Sequence, residues 1–190
     1  MERMSHLATT IIVVVWYGIG ALWIALAFHN KRTIKRGGVT FRILVLVLVV
    51  AFVLRNHFNM NKIHHHLWAT TPTLAWLGVV CMVIGASFGV WARFTIGTNW
   101  SGDVTLKEDH ELIQRGPYAL VRHPIYTALF TMLLGTALAY GQYENVVIFV
   151  AAVVIFTIKM RAEERLMTEA FPNQYPEYRR RVRAIVPFLV

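Results

Sequence analysis

Charged side chains are scarce in this sequence. Asp, Glu, Lys and Arg make up 15% of its 190 residues, against roughly 25% in an average soluble domain. That scarcity excludes an ordinary water-soluble surface, and the 56% hydrophobic content, gathered in blocks, points to a membrane protein. Cysteine is nearly absent: Cys81 is alone, inside an apolar run, so no intrachain disulfide can form and the residue reads as a small buried hydrophobe. Acidic residues are the minority, 10 against 19 basic ones, for a formal net charge of +9. Such an excess fits basic loops at an anionic membrane surface. The aromatic-interleaved basic stripe that stacks bases is missing, so no nucleic-acid partner is expected. Internal repeats, low-complexity segments and a glycine-rich dinucleotide fingerprint are missing too.

What is present is a series of apolar runs: residues 7–28, 41–54 (extending to 58 or starting near 39), 74–96, 125–140 and 146–158. The first is too long and too aromatic, with Trp16, Tyr17 and Trp23, to read as a cleaved signal, and is expected to be retained as a membrane helix. Pro72 is well placed to open the third run. Gly78, Gly85, Ala86 and Gly89 in that run favour close helix packing, expected inside one bundle rather than at a dimer seam. The last two runs flank a tight turn at 141–145. Residues 146–158 as a helix rise only about 20 Å, so a shallow or tilted hairpin is expected, its second helix continuing into a charged tail. The expected fold is an all-α integral membrane protein of about five transmembrane helices, with a short C-terminal helical hairpin and a cytosolic amphipathic tail. The segments 30–38, 55–71 and 97–121 are expected to be polar connections. With the N-terminus outside, only Arg3, Arg55 and Lys62 stay on that face, leaving 16 of the 19 Lys and Arg on the cytoplasmic face.

Two clusters carry candidate chemistry. The first ends the long polar stretch: His110-Glu111-Leu112-Ile113, Gly116-Pro117-Tyr118 and Arg122-His123-Pro124-Ile125-Tyr126. Arg122 and His123 stand just before a helix whose first-turn N–H groups favour an anion. An ordinary interfacial loop, with Arg122 reaching to lipid phosphate, accounts for these residues equally well when they are taken alone. The second is Lys159-Met160-Arg161-Ala162-Glu163-Glu164, with Lys159 and Glu163 spaced i, i+4 on one helix face. Ionisable groups at membrane depth are costly and mark candidate functional sites, although an interfacial ion pair is the plainer reading of this cluster by itself. His57 and His64-His65-His66 could suggest a metal or haem protein, but consecutive histidines cannot all face one ion on a regular helix and no cysteine or acid lies near, so no metal is expected.

Together the clusters resemble the isoprenylcysteine carboxyl methyltransferase family and the wider group of phospholipid methyltransferases. The family pattern runs His-x-Leu-(Val/Ile), Gly-x-Tyr, Arg-His-Pro-x-Tyr, a helical hairpin, Glu-Glu, and an aromatic tail. This chain matches it from Asn99-Trp100 onward, through Glu163-Glu164 and Phe171-Pro172-Asn173-Gln174-Tyr175-Pro176-Glu177-Tyr178 to Pro187. The resemblance implies one membrane domain, 1–190, with three N-terminal transmembrane helices in 1–96 and a cofactor-binding catalytic half in 97–190. It implies S-adenosylmethionine as cofactor, S-adenosylhomocysteine as product, and a lipophilic or lipid-modified acceptor entering from the bilayer. His110, Leu112, Ile113, Tyr118, His123, Pro124, Ile125 and Tyr126 would line the cofactor pocket, and Glu163 would hold the cofactor's amino group. Lys159, Glu163 and Arg122 are the candidate catalytic residues. The expected reaction is methylation of a prenylcysteine-like carboxylate; alternatives are N-methylation of an amino phospholipid and an NADPH-dependent sterol-type reductase. Lys159 stands where the family usually has arginine, with Arg161 as a nearby substitute, and Pro172 replaces the glycine of the family's tail.

Overall fold

In the computed structural model, the structure describes residues 2–28, 30–36, 66–108 and 111–186. The second apolar run, His57, His64, His65, His110 and Pro187 lie outside the described residues. Five helices are described: α1 (Glu2–Ala27), α2 (Pro72–Ile96), α3 (Pro124–Tyr140), α4 (Tyr143–Ala170) and the short α5 (Gln174–Arg181). Their boundaries follow local chemistry. Thr71 caps α2 by accepting the Leu74 N–H at 3.2 Å, with Pro72 occupying the first turn. Gly141 ends α3 in the left-handed conformation, φ +62°, its N–H donating to Ala137 O.

α1, α2 and α3 share a core of Ala8, Ile12, Ala75, Val79, Met82 and Met132, with Trp16 Nε1 donating to Thr136 Oγ1 at 3.1 Å. The small residues of α2 work inside this bundle. A Cβ on Gly78 would collide with Gly135 O of α3, and a Cβ on Gly135 would collide with Gly78 O, so the two backbones touch directly. Gly85 faces Ala128 O and Met132 in the same way. At one end of the bundle, Leu67 N–H donates to Gly141 O at 2.8 Å and Trp68 Nε1 to Leu138 O at 3.3 Å, holding residues 66–68 on the α3–α4 turn.

The outer faces stay apolar. Val13, Val14, Ile24, Val80, Val83, Ile84, Phe94, Val147, Val150, Val154 and Ile158 are exposed, a surface that suits hydrocarbon and not water. Three helical stretches among the described residues are long and apolar enough to cross a membrane, His6–Ala27, Pro72–Asn99 and Tyr143–Ala170, with Pro124–Tyr140 shorter. The fold is thus a helical membrane fold with several apolar helices, and the count of described spans is three rather than about five. α4 is also longer than its apolar run. Its 28 residues rise about 42 Å, because the charged residues from Arg161 onward prolong the same helix.

One small element stands beside the helices. Residues of the 30–38 and 97–121 connections form a two-stranded antiparallel sheet, β1 (Thr33–Arg36) with β2 (Thr105–Lys107). Strands of four and three residues are too short for a two-residue periodicity to show in sequence. Val104, leading into β2, is buried against Leu166 of α4, so the sheet fastens the connection to the charged end of that helix.

Candidate active site

The polar stretch before α3 is shaped by a 3-10 turn, Gly116–Ala119, which starts at Gly116 with φ +59°. That glycine lies against α2, where a Cβ would meet Thr95 Oγ1 at 3.3 Å and Trp91 Nε1 at 3.4 Å. The turn buries Pro117 and Tyr118. Pro124 then opens α3, which leaves Arg122 and His123 just before the helix and Tyr126 inside its first turn. From the facing side, α4 brings Lys159, Glu163 and Glu164 to the same place.

Glu164 Oε1 accepts from Arg122 Nε at 2.9 Å and Nη2 at 2.7 Å, and lies 3.3 Å from His123 Nε2. Its other oxygen is 3.5 Å from Arg179 Nε of α5. Glu163 Oε1 accepts the Tyr126 hydroxyl at 2.7 Å and lies 3.4 Å from Lys159 Nζ, while its Oε2 is 3.7 Å from His123 Nδ1. His123 therefore stands between both carboxylates, one ring nitrogen facing each. Its ring stacks on Tyr126, centroids 5.5 Å apart and 11° from parallel, and Tyr126 leans on Phe156 at 5.0 Å. The Lys159 ammonium sits 5.3 Å from the centre of the Tyr126 ring.

Buried charges are costly unless paired, and here Arg122 pairs with Glu164 and Lys159 with Glu163, while the exposed Arg179 approaches Glu164 from outside. Within the cluster Glu163 keeps the more open carboxylate, its side chain 23% exposed against 12% for Glu164. Burial pushes the Tyr118 phenol far above its ordinary range, with the Glu163 carboxylate adding to the shift, so Tyr118 stays neutral.

The chain beyond α5 closes over this corner as a strap. Arg122 N–H donates to Arg183 O at 2.7 Å, His123 N–H to Ala184 O at 2.9 Å and Thr127 Oγ1 to Ile185 O at 2.7 Å. Arg122 Nη1 donates to the carbonyls of Val182 and Arg179. Tyr178 OH donates to Tyr118 O at 2.6 Å. Burial pushes the Tyr178 phenol up to about 12, against the opposing pull of Arg122, and raises Tyr175 as well.

The structure thus brings together Arg122, His123, Tyr126, Lys159 and Glu163, with Pro124 beneath them and Tyr118 adjoining. Ile125 is half-buried in the same helical turn. Leu112 and Ile113 lie half-buried in the irregular 111–114 segment, outside the polar network; that segment is tied to α5 where Arg181 Nη2 donates to Gln114 Oε1. Lys159, not Arg161, faces Glu163: Arg161 is exposed on another face of α4. Three contributors were not read from the sequence. Phe156 could have been, since 156, 159 and 163 share a helix face. Arg179 and the strap carbonyls carry no sequence signal.

S-adenosylmethionine presents an ammonium, a carboxylate and a flat adenine, and the donor set suits it. Glu163 offers a partly open carboxylate, the Arg122 guanidinium stands at the start of α3, and the stacked rings of His123 and Tyr126, with Phe156 tilted against Tyr126, offer an aromatic wall. Among the described residues no group of three His, Cys, Asp or Glu is arranged to hold a metal.

A family model for phospholipid methyltransferases matches residues 73–174. The chain is 25% identical to the uncharacterised protein YpbQ of Bacillus subtilis over 76% of its own length and 88% of that protein. It is 32% identical to the protein-S-isoprenylcysteine O-methyltransferase of Saccharomyces cerevisiae over 60% of its length and 48% of the yeast chain. Its fold is similar to the solved structure of a eukaryotic intramembrane Ras methyltransferase, an isoprenylcysteine carboxyl methyltransferase, with a TM-score of 0.55 and 25% identity over 78% of this chain and 52% of that one. The chain spans about half the length of these last two relatives.

Proposed function

Because the chain belongs to the phospholipid methyltransferase family, within the superfamily that holds the isoprenylcysteine carboxyl methyltransferases, it is an S-adenosylmethionine-dependent membrane methyltransferase, and we propose that it methylates the carboxylate of a prenylcysteine-like isoprenoid. The observation that carries this reading is Glu163, a partly open carboxylate held by Tyr126, Lys159 and His123 at the charged end of an apolar helix.

Bound S-adenosylmethionine supplies an electrophilic methyl group on a sulfonium. In the proposed reaction Glu163 holds the cofactor's ammonium, and Arg122, fixed by Glu164, presents positive charge to its carboxylate. His110, Leu112, Ile113, Tyr118, His123, Pro124, Ile125 and Tyr126 wall the pocket. Lys159 places a buried positive charge beside the reacting corner, where it orients an anionic acceptor. Such an acceptor is already ionised at pH 7 and needs no general base; it needs alignment and exclusion of water. The acceptor's lipid part enters sideways from the bilayer.

The proposed organisation is a single membrane domain, 1–190. Residues 1–96 supply three transmembrane helices, counting the run at 41–58, and 97–190 form the catalytic half, for about five spans in all. The catalytic stretch and the C-terminal tail face the cytoplasm, and the N-terminus lies outside. That orientation is supported by the collection of the end of α1, the β1–β2 pair, the site and the strap at one end of the bundle, with most of the basic residues.

The test is transfer of tritiated methyl from S-adenosylmethionine to a farnesylated cysteine in proteoliposomes. Label in a base-labile ester supports the reading. Label only in phosphatidylethanolamine would move the acceptor to an amino lipid, and NADPH binding without S-adenosylhomocysteine binding would sink methyl transfer altogether.

A further inference from the structure

A polar cavity of about 660 Å³ opens between α4 and α5 and is lined by Arg161, Glu164, Arg165, Thr168, Glu169 and Arg179. We propose that it binds the head-group phosphate of an anionic membrane phospholipid, beside the methyl-transfer site, with which it shares Glu164 and Arg179.

The argument begins with the stripe that leads to it. Val147, Val150, Val154 and Ile158 are exposed and follow one another at helical spacing, so they form the lipid-facing side of α4. Arg161 and Arg165 continue that same stripe at spacings of three and four residues. Arg161 lies one turn past Ile158, about 4.5 Å along the axis. The apolar face therefore ends in guanidinium groups where hydrocarbon gives way to head groups, and the cavity opens on that side.

Charge points the same way. Three guanidinium groups from two helices converge on one concavity, with planar donors suited to phosphate oxygens. Its two acids leave the arginines in excess by one: Glu164 accepts two hydrogen bonds from Arg122 on the far wall and lies 3.5 Å from Arg179 Nε, and Glu169 stands among the arginines. A phosphate held by Arg161, Arg165 and Arg179 would link α4 to α5, the elbow from which the strap departs.

The experiment is native mass spectrometry of the full chain from nanodiscs of phosphatidylcholine containing phosphatidylglycerol, with S-adenosylhomocysteine binding as the folding control. Wild type should keep one phosphatidylglycerol through detergent washing. R161Q/R165Q should bind it about thirtyfold more weakly, each basic residue near an anionic surface contributing about fivefold. Arg180→Gln, exposed and outside the cavity, should bind normally. Equal retention by R161Q/R165Q, or loss equal to that of Arg180→Gln, would overturn the site. Displacement by inorganic phosphate at concentrations equal to the lipid would overturn the lipid as its ligand.

Discussion

His123 holds the site together at the scale of single residues, because its two nitrogens face two carboxylates and its ring supports Tyr126. Replacing it with alanine should abolish measurable S-adenosylhomocysteine binding in calorimetry. Glu163→Gln is the cleaner test of charge. It keeps acceptors for Tyr126 and Lys159, so the protein should stay folded, while affinity should fall about 10- to 100-fold, the worth of a charge-assisted hydrogen bond. Wild-type affinity in Glu163→Gln would remove this residue from the pocket. Glu163→Ala should also lower stability, since it removes the carboxylate that faces the buried Lys159 ammonium at 3.4 Å. These residues were legible because each lies in a short local string or at helical spacing: Arg122, His123 and Tyr126 within five positions, Lys159 and Glu163 one turn apart. Arg179 was not, because its approach to Glu164 is decided by where α5 folds back and not by any neighbour in sequence.

At the scale of elements, the backbone contact between α2 and α3 makes a sharp contrast among glycines. Gly78→Leu must displace Gly135 O and Ala139 and should cost at least about 3 kcal/mol, at the upper end of overpacking penalties, seen as a lower thermal midpoint in detergent. Gly18→Ala on α1 meets nothing within 4 Å and should be neutral or stabilising by up to about 1 kcal/mol. The strap gives a second test. Tyr178→Phe removes the bond to Tyr118 O and should cost about 1 kcal/mol, read as faster proteolysis of the tail. The same phenol sets an alkaline limit. Its folded pKa, about 12, exceeds the ordinary 10.0, so its contribution is complete below pH about 10 and fades as pH climbs through about 12. The difference in tyrosinate absorbance between wild type and Tyr178→Phe, rising together with tail cleavage in that window, would verify it; a difference complete near pH 10 with the tail still docked would refute it. The membrane-crossing helices were legible from apolar length alone. The β1–β2 pair was not, since its register depends on contacts between segments some seventy residues apart and not on local pattern.

For the whole molecule, the membrane class followed directly from composition, and the hairpin from two apolar runs around Gly141. What composition could not give was how far α4 extends, because its charged half has lost the hydropathy that marked the first. A reporter domain fused after Val190 should prove cytoplasmic in a protease-protection assay; an extracytoplasmic reporter would invert the proposed orientation.

The strap has a consequence for biosynthesis. Residues 182–185, which bridge Arg122 and His123 to the tail, follow every apolar helix in chain order. A nascent chain whose helices have already entered the bilayer still lacks them while they remain inside the ribosome. Assembly of the candidate site is therefore among the last steps of maturation, and a released chain truncated before residue 182 should insert into the membrane but lack methyl transfer.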